Sequence, residues 1–206
     1  MPSEGVCRDD EVTEWFRVLD DEDELTEADH LFLDVLRERA VADGWRCEME
    51  DTFAFPTRTI GDRGRVLGAH ELRVILSIDD KDANYHLLEY GIAFDGNWIE
   101  GDRMDSQRHD WQAVTPAWFQ DEGSVPYLAT VVAQWFASIL DWPIEHREWH
   151  SFGQVSHEEW VIVSTGEVIV HNAPRMPDLP PDRVTLVGGV APSAARDPGV
   201  SGPHDL

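Results

Sequence analysis

His146, Glu148 and His150 occupy every second position of a stretch, 144–150, that reads as a β-strand. Alternate residues of a strand share a face, so the two imidazoles and the carboxylate point the same way. Imidazole nitrogen and carboxylate oxygen are ligands for Zn²⁺, Fe²⁺ or another divalent ion. His157 and His171 follow closely enough to add one more ligand. Any polar strand face shows the same spacing, however, and ligand type alone makes neither coordinating distances nor a supporting shell. The cofactor expectation is none, with a divalent metal on this face as the alternative.

Other chemistry is excluded more firmly. There is no Gly-Lys-Ser/Thr segment, hence no P-loop, and Gly61, Gly64 and Gly68 lack dinucleotide-binding spacing. No Gly-x-Ser-x-Gly elbow occurs. His157-Glu158-Glu159 comes nearest to a His-Glu-x-x-His zinc motif but has no second histidine. Lys81, the single lysine, sits in the charged turn Asp79-Asp80-Lys81-Asp82, a poor setting for the desolvated amine of a Schiff base. Close carboxylate pairs arise by chance among 41 acids, and only a perturbed environment would mark one pair as acid and base. His86 falls on the apolar face of a strand at 85–94 and reads as a hydrogen-bonded core residue. Trp142, Trp149 and Trp160 read as core or as interface anchors.

The strongest compositional signal is charge. Forty-one acids against 16 bases give a net charge of −25 over 206 residues. Such a chain repels DNA, RNA and anionic membrane surfaces and attracts basic proteins. Solubility, salt adaptation or a genome-wide preference for Arg over Lys would produce the same bias. The acids are concentrated: the first 30 residues hold 12 of them against two Arg. Asp20, Asp21, Glu22, Asp23, Glu24 and Glu27 are the candidate contacts for a basic partner. No apolar segment follows Met1-Pro2-Ser3-Glu4, as a secretory leader would require, and no apolar run approaches about 18 residues. A cytoplasmic chain with reduced Cys7 and Cys47 is expected, with no membrane and no direct nucleic-acid partner.

The elements that would position these groups are legible in part. Residues 1–25 read as an acidic segment, partly helical around Trp15 and Phe16. Thr26-x-x-Asp29 resembles a capping box and opens a helix over about 27–43, with Phe32, Val35, Leu36 and Ala40 at helical spacing and Gly44 as the stop. Arg37 and Arg39 suit the dipole at its end. Trp45, Cys47, Met49, Phe53 and Phe55 alternate as one strand face, ended by Pro56. Further strands follow at 72–78, 85–94 and around Trp98, with Asp95-Gly96 as a hairpin turn. Residues 102–112 read as a charged loop, and Thr115-Pro116 as a helix start. Residues 125–140 form a helix without a charge, hence buried on most sides. Strands at 144–150, 159–163 and 167–171 complete a single α+β domain over 26–172, an antiparallel sheet packed against the two main helices. Residues 173–206 hold seven prolines and read as a mostly disordered tail, with 184–190 as an edge strand.

Three functions fit: a module that neutralises or docks onto a basic protein, as immunity proteins and inhibitors do; a metal-dependent enzyme using His146, Glu148 and His150; or an assembly subunit docking through 125–140 or 184–190.

Overall fold

The structure, a computed structural model, describes residues 14–19, 24–58, 69–105, 110–111, 115–172 and 179–188. The acids Asp20, Asp21, Glu22 and Asp23, and most of the 173–206 tail, lie outside the described residues. The fold is α+β. The chain divides into two compact units, Met1–Ala137 and Ser138–Leu206.

In the first unit, β1 (Arg17–Val18), β2 (Thr52–Arg58), β3 (His70–Asp80), β4 (Tyr85–Phe94) and β5 (Trp98–Asp105) pair in sequence order. The short strands β6 (Asp110–Trp111) and β7 (Phe119–Glu122) both pair with β5. β1 runs parallel to β2, and every other pairing is antiparallel. The register places Pro56, Leu72, Phe94 and Ile99 in one row, and Ala54, Val74, Ile92 and Gly101 in the next. These rows form the apolar face. Gly101 is required there, because a Cβ would lie 2.2 Å from Cε1 of Phe119 and 2.7 Å from Cδ1 of Ile92.

Two helices touch this face. α1 (Glu27–Asp43) begins where Thr26 and Asp29 form a reciprocal capping box. Asp29 N donates to Thr26 Oγ1 at 3.2 Å, and Thr26 N donates to Asp29 Oδ2 at 2.7 Å. The same Oδ2 meets Nε2 of His70 at 2.7 Å, which ties the start of α1 to the start of β3. Gly44, at φ 61°, stops the helix in the left-handed conformation. Between the caps, Phe32, Leu33, Leu36 and Ala40 are buried, and Phe32 stacks on Phe94 with centroids 4.3 Å apart. α2 (Val125–Leu140) brings Trp135 against Tyr90 and Phe119, at 5.9 and 4.8 Å. It buries Leu128, Ala129, Val132, Ala133 and Phe136 and exposes Tyr127 and Gln134.

Several local expectations are corrected. Residues 14–19 are a turn and β1 rather than helix. Phe16 is fully buried at φ 52°, its N–H donating to Thr52 Oγ1, and it packs with Trp45 and Phe136. Burial of that ring offsets a left-handed backbone that costs about 1–2 kcal/mol. Arg37 serves this segment rather than the helix dipole, since it donates to the carbonyls of Trp15 and Phe16 and pairs with Glu14. Residues 45–51 are not strand: they end in a 3₁₀ turn, Met49–Asp51. In β2 the buried face is Thr52, Ala54 and Pro56, opposite to Phe53 and Phe55. Pro56 does not end β2: among the described residues β1 pairs only as far as Val18 with Ala54, and an edge position tolerates a missing N–H. Residues 102–105 belong to β5, and 110–111 to β6, rather than to a loop. Thr115-Pro116 opens only a turn. Its cap bond is made, Ala117 N to Thr115 Oγ1, but the chain then enters β7.

In the second unit, β8 (Ile144–Ser151), β9 (Gln154–Ile162), β10 (Glu167–His171) and β11 (Arg183–Gly188) form an antiparallel sheet of order β10-β9-β8-β11. β11 is an edge strand, as expected of the apolar stretch beyond Arg183, and exposes Val184 and Leu186.

Asp29 carries both the cap and the link to β3. Its replacement by Ala is expected to lower stability by about 2 kcal/mol, the sum of a lost cap and a lost buried acceptor. Asp29→Asn, which keeps an acceptor oxygen, should lose about half of that. Thermal unfolding of the two variants checks the order.

Candidate functional site

β8 alternates as its spacing predicts. Ile144, His146 and Glu148 are buried on one face, and Glu145 and Arg147 lie half-buried on the other. A register shift between Trp149 and His150 interrupts the pairing with β9. His146 is held first by its neighbours on β9. Its ring lies parallel to Trp160, 2° apart in plane and 4.2 Å between centroids, and its Nε2 sits 3.2 Å from Oε2 of Glu158.

Glu148 is the centre of the group. Its Oε1 faces His146 Nδ1 at 3.9 Å and Arg183 Nη1 at 3.5 Å, while its Oε2 faces His150 Nε2 at 3.4 Å. His150 in turn donates its backbone N–H to Asp182 Oδ2 at 2.6 Å. The three sequence candidates are therefore brought together, but as a ladder of polar contacts along a strand. Four residue steps of about 3.3 Å separate the backbones of His146 and His150 by roughly 13 Å. Among the described residues, no group of three or more His, Cys, Asp or Glu is arranged to hold a metal ion. His157 does not join the ladder. It pairs with Trp149, packs against that ring at 4.8 Å, and lies 3.9 Å from Glu159. It is buried, and among the described residues neither ring nitrogen has a hydrogen-bond partner. His171 is exposed on β10, opposite Glu159.

Of the acidic candidates, Glu24 and Glu27 are described and both are exposed. Glu27 begins a ridge. Glu27, Leu31, Asp34, Glu38 and Val41 recur at helical spacing along the solvent side of α1, and all five are exposed. Leu31 is 44% and Val41 67% exposed, so the ridge interleaves acids with accessible aliphatic groups.

A second set of charged residues was not legible as a group. Glu71, Arg73, Glu89, Glu100 and Asp102 are all buried on the other face of the large sheet. Arg73 pairs with Glu71 and lies 4.6 Å over the ring of Trp111. Trp118 Nε1 donates to Glu100 at 3.1 Å, and Thr115 Oγ1 donates to Asp102 at 2.5 Å. These bonds fasten the turn before β7 to β5. The signal available was the alternation of polar residues on β3 to β5, which also describes an ordinary solvated face.

Two further groups bear on reactivity. Burial, aided by the charge of Asp51, pushes the Cys47 thiol up to about 12, so it stays protonated at neutral pH and is a poor nucleophile. Lys81 contacts Asp51, Asp79 and Glu48. Burial lowers its affinity for a proton, but the hydrogen bond and charge of Asp51, with Asp79 and Glu48, outweigh that and raise it. The lysine is a structural cation.

No family model, curated protein or solved structure matches the chain. Its class is therefore set by its own geometry: an α+β protein in which no described helix is long and apolar enough to cross a membrane.

His86 is not a core residue. A register shift between Ile78 and Asp79 carries it to the sheet margin, where its Nδ1 meets Asp79 Oδ1 at 2.9 Å. The hydrogen bond that His86 donates to Asp79 raises the His86 pKa above 6.5, and the same bond lowers Asp79 below 3.8. The His86 contribution to stability is complete below its unfolded value and is lost as pH rises through the raised one. The Asp79 contribution is complete above its unfolded value and is lost as pH falls through the lowered one. The pair thus supports the fold most between about pH 4 and 6.5. Asp79→Asn is expected to return His86 towards the ordinary histidine value, as read by an NMR titration of the ring.

Proposed function

We propose that the chain is a cytoplasmic acidic docking protein that binds, and in the manner of an inhibitor neutralises, a basic protein partner. One observation carries this reading: the α1 ridge of Glu27, Asp34 and Glu38, with Leu31 and Val41 accessible between them. The net charge of −25 supplies long-range attraction that steers a basic partner, and the aliphatic groups supply contact area once it arrives. Glu24, exposed just before the helix, adds one more acid. DNA, RNA and anionic bilayers are disfavoured by the same field. Metal chemistry at His146, Glu148 and His150 is the competing reading. It is supported only by the face these residues share, and metal analysis of protein purified without a His tag separates the two.

A pull-down at low and high salt tests the docking reading. The expected complex contains a basic protein and weakens as salt screens the surface charges over about 10 Å or less. A specific partner absent at both salt concentrations would sink it. The triple replacement Glu27→Gln, Asp34→Asn and Glu38→Gln is expected to slow association about tenfold at low salt. Its melting temperature should stay within about 2–4 °C of the parent, since exposed charges contribute little.

A further inference from the structure

Three described residues other than glycine have a positive φ: Phe16, Asn84 and Phe152. The fold accounts for two of them. Phe16 is fully buried among aromatic rings. Asn84 closes the β3–β4 turn, and asparagine tolerates the left-handed region through local hydrogen bonding.

Phe152 has neither justification. It stands at the apex of the β8–β9 hairpin, where Ser151 pairs with Gln154 across the two-residue turn Phe152-Gly153. Both turn residues have positive φ, 53° and 78°, as a type I′ turn requires, and the favoured first residue of such a turn is Asn, Asp or Gly. The phenylalanine ring gains nothing from the described residues, for Phe152 is 106% exposed, the most exposed large apolar residue described. A strained backbone and a fully hydrated benzyl group are both unfavourable in the isolated protein. An aromatic side chain projecting from a rigid hairpin has the form of an interface anchor, which fills a pocket at low entropic cost.

We infer that Phe152 is the anchor of a protein-binding surface, and that it inserts into an apolar pocket rimmed by basic side chains on the partner. The occupant follows from charge. Glu148 is buried and already paired with Arg183, but Asp182, more than half exposed, binds the backbone N–H of His150 just below the tip, and Glu158 lies part-exposed on the stem. A second copy of this chain would bring another net −25, and an anionic bilayer would likewise be repelled. The inference rests on the docking reading above and adds the residue that would anchor the complex.

The test uses the full chain. A photoreactive benzoyl-phenylalanine in place of Phe152 captures the neighbour in cells. The captured protein is identified by mass and purified, then titrated by calorimetry against the parent and against Phe152→Asn, Phe152→Gly and Phe152→Trp. The expected neighbour is a basic protein. Phe152→Asn is expected to raise the melting temperature by about 2–4 °C while weakening binding about 30-fold or more, the size of a hot-spot loss. Phe152→Gly should weaken binding equally, and Phe152→Trp should retain most of it. Capture of the chain itself, of lipid, or of nothing overturns the inference, as does undiminished binding by both Phe152→Asn and Phe152→Gly. If those variants still bind a basic protein in a salt-sensitive way, the anchor is wrong and the docking reading stands. If the parent binds no basic protein, both fall.

Discussion

The large sheet depends on a period of two held in register over three long strands. On β3, β4 and β5, alternate residues place Leu72, Val74, Ile92, Phe94 and Ile99 on one face and Glu71, Arg73, Glu89, Glu100 and Asp102 on the other. A one-residue slip would exchange the faces and set five charged groups against Phe32 and Trp135. Desolvating unpaired charges there would cost several kcal/mol each, so the register is strongly specified. The second face is buried as well, and the bonds from Thr115 and Trp118 give Asp102 and Glu100 partners where water would otherwise be needed.

Cations are scarce, and the structure places several of them against backbone joints. Arg37 holds the segment around Phe16, Lys81 ties the β3–β4 turn to the 3₁₀ turn before β2, and Arg73 sits inside the polar sheet face. Arg147 and Arg183 do the same for β8, pairing with Glu145, Glu159 and Glu148. These cations answer acids that the fold itself has buried or crowded. Glu27, Asp34 and Glu38 project into solvent instead, where, among the described residues, only the weak Asp34–Arg37 contact at 3.7 Å offsets them.

The helices were legible because their signals are local. A reciprocal cap at Thr26, a left-handed Gly44 and sixteen uncharged residues in α2 need no knowledge of the rest of the chain. The Asp95-Gly96 turn was readable for the same reason, Gly96 having φ 106°. Errors arose where a distant partner overrode the local pattern. Trp45 aligned with a strand face but packs against Trp15, Phe16 and Phe136 instead. Thr115 carried a sound cap signal, yet its hydroxyl and N–H are drawn to Asp102 and the chain turns into β7. His86 was misplaced by one register shift. At the candidate site, the common face of His146, Glu148 and His150 followed from spacing. The ladder itself did not, because Glu158, Trp160, Asp182 and Arg183 join it through strand pairing.

Departures from local preference carry information only after burial is taken into account. Phe16 and Phe152 have nearly the same φ, 52° and 53°, and the same side chain. In one case the ring is wholly enclosed and in the other it is wholly exposed. An enclosed ring supplies about 2–3 kcal/mol of transfer free energy, enough to outweigh the backbone cost, so the conformation at Phe16 is explained by packing alone. At the hairpin tip the described residues supply no such term. Asparagine at that position would give the same turn with less strain and no hydrated apolar ring. Among the described residues nothing covers the ring. The compensation that the core provides for Phe16 is thus missing, among the described residues, for Phe152.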